Sequence, residues 1–369
     1  MFQTLSRHWI RYQPSLFKDV EDKYGSPTDK HREIILALDV IGLDRFLHDG
    51  PSYSVGRPRQ SRLAIARALV AKSALNLSTT KGLIERLKVD AVLRRICGFA
   101  SVREVPAAST FSEAFAEFAR TEILSKIHEH LVKFIHKDTI VGHICRDATE
   151  IHGREKIAKT GQKNSRRKKL PTGYKAGRPK KGEVREVKPQ NNIQVQMTQK
   201  LPEILESLPQ AFNCGSKKGS RGNLSQWFGY KLHVDVCDDG IPISCILTSA
   251  SVNDNQCSVP LEMMTNSRVK SLYTLADKGY DSADLRRHVA SFGKVPLFQP
   301  RDVSSQNKVE FDPAMSERFK CRTTVERAFS MGKDCLGFRN VMVKGHAKVL
   351  AHLMTGILML SALRVLETT

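Results

Sequence analysis

The residues most suggestive of chemistry lie near the C-terminus of the sequence. An aromatic residue, a cation, a carboxylate and a second cation occur there as Phe319, Arg322, Glu326 and Lys333. At about 100° per residue, spacings of three, four and seven residues place the four side chains on one side of an α-helix. A carboxylate between two cations stays ionised beside groups that bind phosphate, which suits a metal ligand acting on a polyanion. A solvated helix surface with i,i+4 charge pairs is the alternative interpretation.

Two aspartates upstream favour the chemical interpretation. Asp147 ends the apolar run 139–147 and Asp277 ends the apolar run 272–277, and both patterns predict strands. Open α/β sheets place functional residues at the carboxyl ends of their strands. Either aspartate alone could be a helix cap or a turn residue. Two strand-end aspartates followed by a glutamate on a helix predict a cluster of three acidic groups.

The three acidic residues, with the Lys-Gly-Tyr that follows the second, resemble the acidic triad of DDE transposases from bacterial insertion sequences. The similar branch carries a Tyr-x2-Arg-x3-Glu-x6-Lys signature. Arg322, Glu326 and Lys333 match it, whereas Phe319 stands where the signature has Tyr. The resemblance covers roughly residues 30 to 366.

This resemblance implies that Asp147, Asp277 and Glu326 are both the catalytic residues and the metal ligands. Two Mg²⁺ ions, which Mn²⁺ could replace, activate the nucleophile and hold the leaving oxygen in phosphodiester cleavage. Mg²⁺ prefers carboxylate oxygens and keeps several waters, so three carboxylates suffice, with Asp147 expected to be shared. Arg322 and Lys333 are expected to bind DNA phosphates.

The implied function is that of a transposase that binds terminal inverted repeats, cleaves DNA and transfers strands. Its partner would be double-stranded DNA, both element ends and target. Because transposition pairs two ends, we expect at least a homodimer in the DNA complex, with no role for a membrane. Two other functions stay open: a ribonuclease H-like endonuclease without strand transfer, and a domesticated, non-catalytic DNA-binding protein. The intact acidic residues argue against the second.

Composition points independently to a polyanionic partner. The 369 residues carry a net charge of +21, with a pI near 9.7. A ribosome-associated or membrane-surface protein could carry the same charge. The eight cysteines show no metal-binding spacing and predict reduced, packed thiols in a cytoplasmic protein. The resemblance implies that this protein is bacterial or archaeal and nucleoid-associated when bound to DNA. Residues 1–13 lack the apolar segment of a secretory signal, and 349–365 predict a buried helix rather than a membrane span.

Residues 1–136 predict a helical N-terminal DNA-binding domain. Apolar residues at three-and-four spacing predict helices over 30–43, 61–75, 80–88, 90–96 and 110–135, the last with its cap at Ser109 or Thr110. A helical scaffold with a solvated basic face is the alternative. In the resembling family, such a domain usually binds the transposon ends. The basic residues that fit DNA binding are Arg57, Arg59, Arg62, Arg67 and Lys72.

Residues 137–366 predict a catalytic domain interrupted by a basic insert at 153–226. The insert holds 18 Lys or Arg residues and 5 Glu residues, a net charge of +13, and we expect it to be flexible until it meets nucleic acid. Gly-Arg-Pro at 177–179 resembles an AT-hook, although generic phosphate binding is the simpler interpretation. The expected DNA contacts in the insert are Arg166, Arg167, Lys168, Lys169, Arg178, Lys180 and Lys181.

The order of predicted elements indicates an α+β or α/β fold with a ribonuclease H-like core. A strand at 139–147 is followed by a hairpin (228–236 and 241–248), then a helix, the 272–277 strand, a helix at 283–291, a strand at 294–298 and the Glu326 helix. In that fold the first and fourth strands run side by side, so Asp147 and Asp277 are expected to be neighbours.

Overall fold

The computed structural model of the chain describes residues 26–48, 59–157, 191–218, 223–300 and 311–368. Its N-terminal part is helical, as the apolar spacing predicts. Thr28, Ser61, Thr79 and Asp90 each cap a helix by accepting a hydrogen bond from a backbone N–H of the first turn. The helices are α1 (Asp29–Ile41), α2 (Arg62–Ala74), α3 (Thr80–Val89), α4 (Ala91–Cys97), α5 (Ala108–Thr121) and α6 (Ile123–Ile135).

The helix predicted over 110–135 is in fact two helices. The chain breaks at Glu122, whose φ of 52° is left-handed. The predicted cap was also wrong, because α5 begins at Ala108 after Ala107, which makes no side-chain capping bond. A single left-handed residue redirects the chain without interrupting the apolar spacing, so periodicity does not reveal it.

The remaining elements form one mixed sheet and the helices around it. The strands are β1 (Ile140–His152), β2 (Asn213–Lys218), β3 (Leu224–Cys237), β4 (Pro242–Ser249), β5 (Lys270–Ala276) and β6 (Val295–Phe298). Their order is β2-β3-β1-β5-β6, with β4 also paired to β3. The helices are α7 (Asn192–Thr198), α8 (Leu201–Ser207), α9 (Ser258–Arg268), α10 (Ala283–Ser291), α11 (Pro313–Phe319), α12 (Thr323–Cys335) and α13 (His346–Thr368).

The central strand β1 is antiparallel to β3 and parallel to β5. The sequence did not predict β2, so the first and fourth predicted strands are β1 and β5. These two strands do run side by side. A mixed sheet flanked by helices and preceded by a helical region confirms the predicted fold class and is consistent with a ribonuclease H-like core.

Strand β1 is longer than predicted. We expected it to end at Asp147, but it pairs with β3 as far as His152, opposite Gly229. Its other neighbour, β5, ends at Ala276, and the last parallel pair joins Cys145 to Leu275. Asp147 is thus in the middle of its own strand but at the point where the neighbouring strand stops.

Part of the predicted basic insert is folded. Residues 191–218 form α7, α8 and β2, whereas we expected flexibility as far as residue 226. Apolar side chains explain the difference, since Ile193, Ile204, Leu208 and Phe212 are buried. The local excess of positive charge does not reveal these few anchors. Residues 158–190, with the AT-hook-like segment, lie outside the described residues.

A buried ionic cluster connects β1 to helix α9. Arg146 is fully buried and its guanidinium donates to both carboxylate oxygens of Asp235, at 2.8 Å each, and to Glu262 of α9 at 2.9 Å. Lys294 donates to the same glutamate at 2.8 Å. Because successive strand residues point to opposite faces, this cluster directs Asp147 to the other side of the sheet, towards α12.

Helix α13 packs in the interior. It is the one helix in the described part of the chain that is long and apolar enough to cross a membrane, yet 78% of its apolar window is buried. It shares a continuous apolar core with the N-terminal helices and the sheet. This confirms the prediction of a buried C-terminal helix.

Candidate active site

Asp147 lies in a largely buried, negatively charged position. Its side chain is 20% exposed, and one carboxylate oxygen accepts a hydrogen bond from the backbone N–H of Ala148 at 2.8 Å. The other is 3.0 Å from the guanidinium of Arg322. Burial raises the pKa of the Asp147 carboxyl to about 6 against the opposing effect of Arg322, and the charges of Asp277 and Asp254 raise it further.

Asp277 directly follows β5 and lies beside Asp147. Both aspartates are two residues beyond the last parallel pair of their strands, Cys145 with Leu275. Asp277 also caps the short 3-10 turn Lys278–Tyr280, since it accepts a hydrogen bond from the Gly279 backbone N–H at 2.9 Å. It is therefore a turn residue, as the alternative interpretation held, and also a carboxylate at the sheet edge.

Glu326 joins this group through Arg322. The Arg322 guanidinium donates to Glu326 at 3.2 Å through one nitrogen and to Asp147 at 3.0 Å through another. Glu326 is 57% exposed in the first turn of α12. One guanidinium thus spans two of the three predicted acidic residues, and the third is next to one of them.

The helix carrying this signature differs from the predicted one. Phe319 ends α11, a 3-10 turn occupies Lys320–Arg322, and α12 begins at Thr323. Arg322 and Lys333 do not lie on a solvated surface, since their side chains are 20% and 19% exposed. Lys333 pairs with Glu150 of β1. Both cations therefore contact carboxylates of β1.

One nearby acidic residue was not among the predicted site residues. Asp254 is 2.9 Å from the amino group of Lys231 on β3, and its charge acts on Asp147. The sequence signal was only its position after the β4 strand. Asp254, which is paired with Lys231, is therefore a fourth carboxylate at the sheet edge where Asp147 and Asp277 lie.

The predicted DNA-binding residues have different outcomes. Arg57 and the whole set within 166–181 lie outside the described residues. Arg59 and Arg62 both pair with Glu117 on α5. Lys72 does not belong to a basic surface, because it is 8% exposed and burial lowers its pKa to about 8.

Two regions of the chain match known families. Residues 207–362 match a family described as "Transposase DDE domain", and residues 21–117 match one described as "Transposase domain (DUF772)". The first region contains Asp277 and Glu326, and the second spans α1 to α4. Comparison with curated proteins and with solved structures gave no match.

These matches support one class of protein. Two regions of the chain are similar to transposase domains, which supports an insertion-sequence transposase and a DNA-acting enzyme of the DDE type. Such enzymes generally use a divalent metal. Asp147 lies outside both matched regions, so its assignment depends on its position beside Asp277 and Arg322.

The donor atoms at this site suit a hard divalent cation. Asp147, Asp277 and Glu326 offer only carboxylate oxygens, which Mg²⁺ and Mn²⁺ prefer. Burial keeps the pKa of Asp147 raised although Arg322 is only 3.0 Å away, so a further cation would favour the charged carboxylate. The guanidinium already lies where a cation between Asp147 and Glu326 would lie.

Removing the charge of Asp147 should stabilise the metal-free protein. The folded state holds a proton on this carboxyl up to about pH 6, whereas its usual pKa is 3.8. Folding therefore weakens as pH rises through this interval, by at most about 3 kcal/mol. In chelator, Asp147→Asn should unfold at a higher temperature than the wild type near neutral pH, and the difference should shrink below about pH 4. A lower midpoint near neutral pH would contradict the raised pKa.

Proposed function

We propose that this protein is a transposase that cleaves DNA at the ends of an insertion sequence and joins the exposed 3′ ends to target DNA. The observation that carries the proposal is that Arg322 pairs with both Asp147 and Glu326, while Asp277 follows the neighbouring strand at the level of Asp147. The matched transposase regions lie on both sides of Asp147 in the sequence and support the same function.

Each acidic residue has a distinct place in this proposal. Asp147 contacts the segment that carries Glu326 on one side and has Asp277 on the other, so it is the carboxylate best placed to be shared. Asp277 is held by the Gly279 backbone N–H. Glu326 is the most exposed of the three and can adjust on the surface of α12. When bound, two Mg²⁺ ions would supply an activated nucleophile and charge neutralisation at the phosphate.

Arg322 would have two states. In the structure it neutralises Asp147 and Glu326. Once those carboxylates are neutralised by other charges, the guanidinium is free to donate to a DNA phosphate beside the scissile bond. Lys333 pairs with Glu150, which follows Asp147 on β1, and would bind the same DNA backbone.

The DNA partner is also supported by charge. The net charge of +21 favours binding to a polyanion, and the segment 153–226 holds +13 of it. We infer that this segment contributes affinity through its arginines and lysines, with a helical N-terminal domain at 1–136 binding the element ends. Two ends must be paired, so the active form would be at least a homodimer. Such a protein would act in the cytoplasm, on the nucleoid.

A joining assay distinguishes the proposal from its alternatives. Purified protein would be incubated with Mg²⁺, a labelled fragment that carries the inverted repeats flanking its gene, and supercoiled target DNA. We expect strand cleavage at the repeat ends and labelled product joined to target. Cleavage without joining would favour the endonuclease, and binding without cleavage would favour a non-catalytic DNA-binding protein.

A further inference from the structure

A second group of metal-ligand side chains lies on the same strand as Asp147, towards its other end. Potential ligand atoms of His143, Asp238 and Cys321 all lie within 4.8 Å of one another. His143 belongs to β1, Asp238 follows β3, and Cys321 belongs to the 3-10 turn before α12. Four residues of strand separate His143 from Asp147, so this group is about 13 Å from the acidic site.

The imidazole of His143 is held in a fixed orientation. Its Nδ1 is 2.8 Å from Asp238, whose other carboxylate oxygen accepts the His143 backbone N–H at 2.8 Å. The ring stacks on Tyr273 at 5.2 Å between centroids. Its Nε2 is buried with no hydrogen-bond partner among the described residues. A metal ion that takes the place of the proton between Nδ1 and Asp238 would be bound by both side chains, since imidazole nitrogen and carboxylate oxygen are both Zn²⁺ ligands.

Two further contacts bring the other ligands to this imidazole. Gly142 allows Asp238 to approach β1, because a Cβ there would lie 2.7 Å from the carboxylate. The backbone carbonyl of Cys321 accepts a hydrogen bond from the thiol of Cys145 at 3.1 Å. The turn that carries Cys321 is thereby already docked on the strand that carries His143.

We propose that His143, Asp238 and Cys321 bind a transition-metal ion of the Zn²⁺ class, and that this ion fixes the turn carrying Arg322 against β1. Nitrogen, oxygen and thiolate donors suit Zn²⁺, whereas Mg²⁺ does not select sulfur. A thiolate and a carboxylate also balance the charge of a divalent ion. A tetrahedral site places ligand atoms about 3.5 Å apart. The three ligand atoms already lie within 4.8 Å of one another, so they have to move only slightly closer.

The functional effect follows from the chain order. Cys321 and Arg322 are consecutive, and Arg322 contacts both Asp147 and Glu326. An ion bound to Cys321 would fix the start of α12 relative to the strand that carries Asp147. The binding site does not depend on the proposed transposase activity, but this effect on cleavage does.

Cobalt binding tests the site with a spectroscopic signal. The full-length protein, freed of metal with chelator, would be titrated with Co²⁺, which gives a thiolate charge-transfer band when a cysteine binds it. We expect about one such ion per chain, displaced by Zn²⁺. Cys321→Ser should lose the band, and His143→Gln and Asp238→Asn should weaken Co²⁺ binding at least about tenfold. Cys335→Ser, which removes an exposed thiol of α12, is the matched control and should keep the band.

Two comparisons separate this site from the acidic one. Asp147→Asn should keep the cobalt band and lose cleavage, which shows that the two sites are distinct. Zn²⁺ should raise the unfolding temperature of the wild type and of Cys335→Ser but not of Cys321→Ser. A wild-type protein without a thiolate band, or a Cys321→Ser variant that keeps it, would overturn the site. Loss of the band with unchanged cleavage at saturating Mg²⁺ would overturn the link to Arg322.

Discussion

Replacing any one of the three acidic residues by its amide should reduce DNA cleavage by about a thousandfold or more while DNA binding survives. The variants are Asp147→Asn, Asp277→Asn and Glu326→Gln. Each removes one ligand charge from a site where three carboxylates would bind the metal ions. Such a loss costs about 4 kcal/mol of transition-state stabilisation. DNA affinity comes mainly from lysines and arginines elsewhere, so gel-shift binding should change little.

The matched control for this experiment is Asp281→Asn. Asp281 is four residues from Asp277 and pairs with Arg286 at 2.8 Å, so it is a nearby ion-paired carboxylate outside the proposed triad. Cleavage would be measured on labelled end DNA in Mg²⁺, with unfolding followed in parallel. If one of the three variants cleaves at the rate of the Asp281 control, that residue has to be removed from the site.

The parts of the fold set by local sequence were predictable. Helix α10 occupies the predicted residues Ala283–Ser291, after a turn that the sequence also indicates. The hairpin of β3 and β4 follows from alternating apolar residues around an Asp-Asp-Gly turn. Turns and short periodic runs are properties of neighbouring residues, so one sequence suffices to find them.

The end of β1 shows where local reasoning fails. The polar residues Asp147, Thr149 and Glu150 predict the end of a strand, yet the strand continues because β3 is long enough to pair with it. Pairing of this kind depends on a partner some 80 residues away. The position of Asp147 within β1 therefore could not be predicted without knowing that β3 pairs with it. The prediction that Asp147 lies beside Asp277 did not depend on this pairing.

The contacts between charged residues were the least predictable part of the site. Helical spacing correctly places Arg322 beside Glu326, at i and i+4. It does not reveal that the same guanidinium reaches Asp147, 175 residues earlier in the chain. The group of His143, Asp238 and Cys321 was missed for the same reason, because its members have no short spacing in the sequence.

Arg322→Ala should reduce cleavage at saturating Mg²⁺ by about 10- to 100-fold. A charge-assisted hydrogen bond to a phosphate contributes about 1.5–3 kcal/mol, and it would be formed only when DNA is bound. In the metal-free protein the same substitution leaves the largely buried Asp147 without its cation, so the variant should also be less stable in chelator.

Saturating metal separates these two effects of Arg322. Once Mg²⁺ neutralises the carboxylates, the stability defect should diminish while the cleavage defect remains. Arg322→Lys keeps the charge but cannot span Asp147 and Glu326 as the guanidinium does, so it should recover only part of the activity. Arg327→Ala, which removes an exposed cation of the same helix, is the control and should cleave normally. Should Arg322→Ala cleave at the wild-type rate once Mg²⁺ is saturating, Arg322 would be a structural counter-ion of Asp147 and would have no part in binding the scissile phosphate.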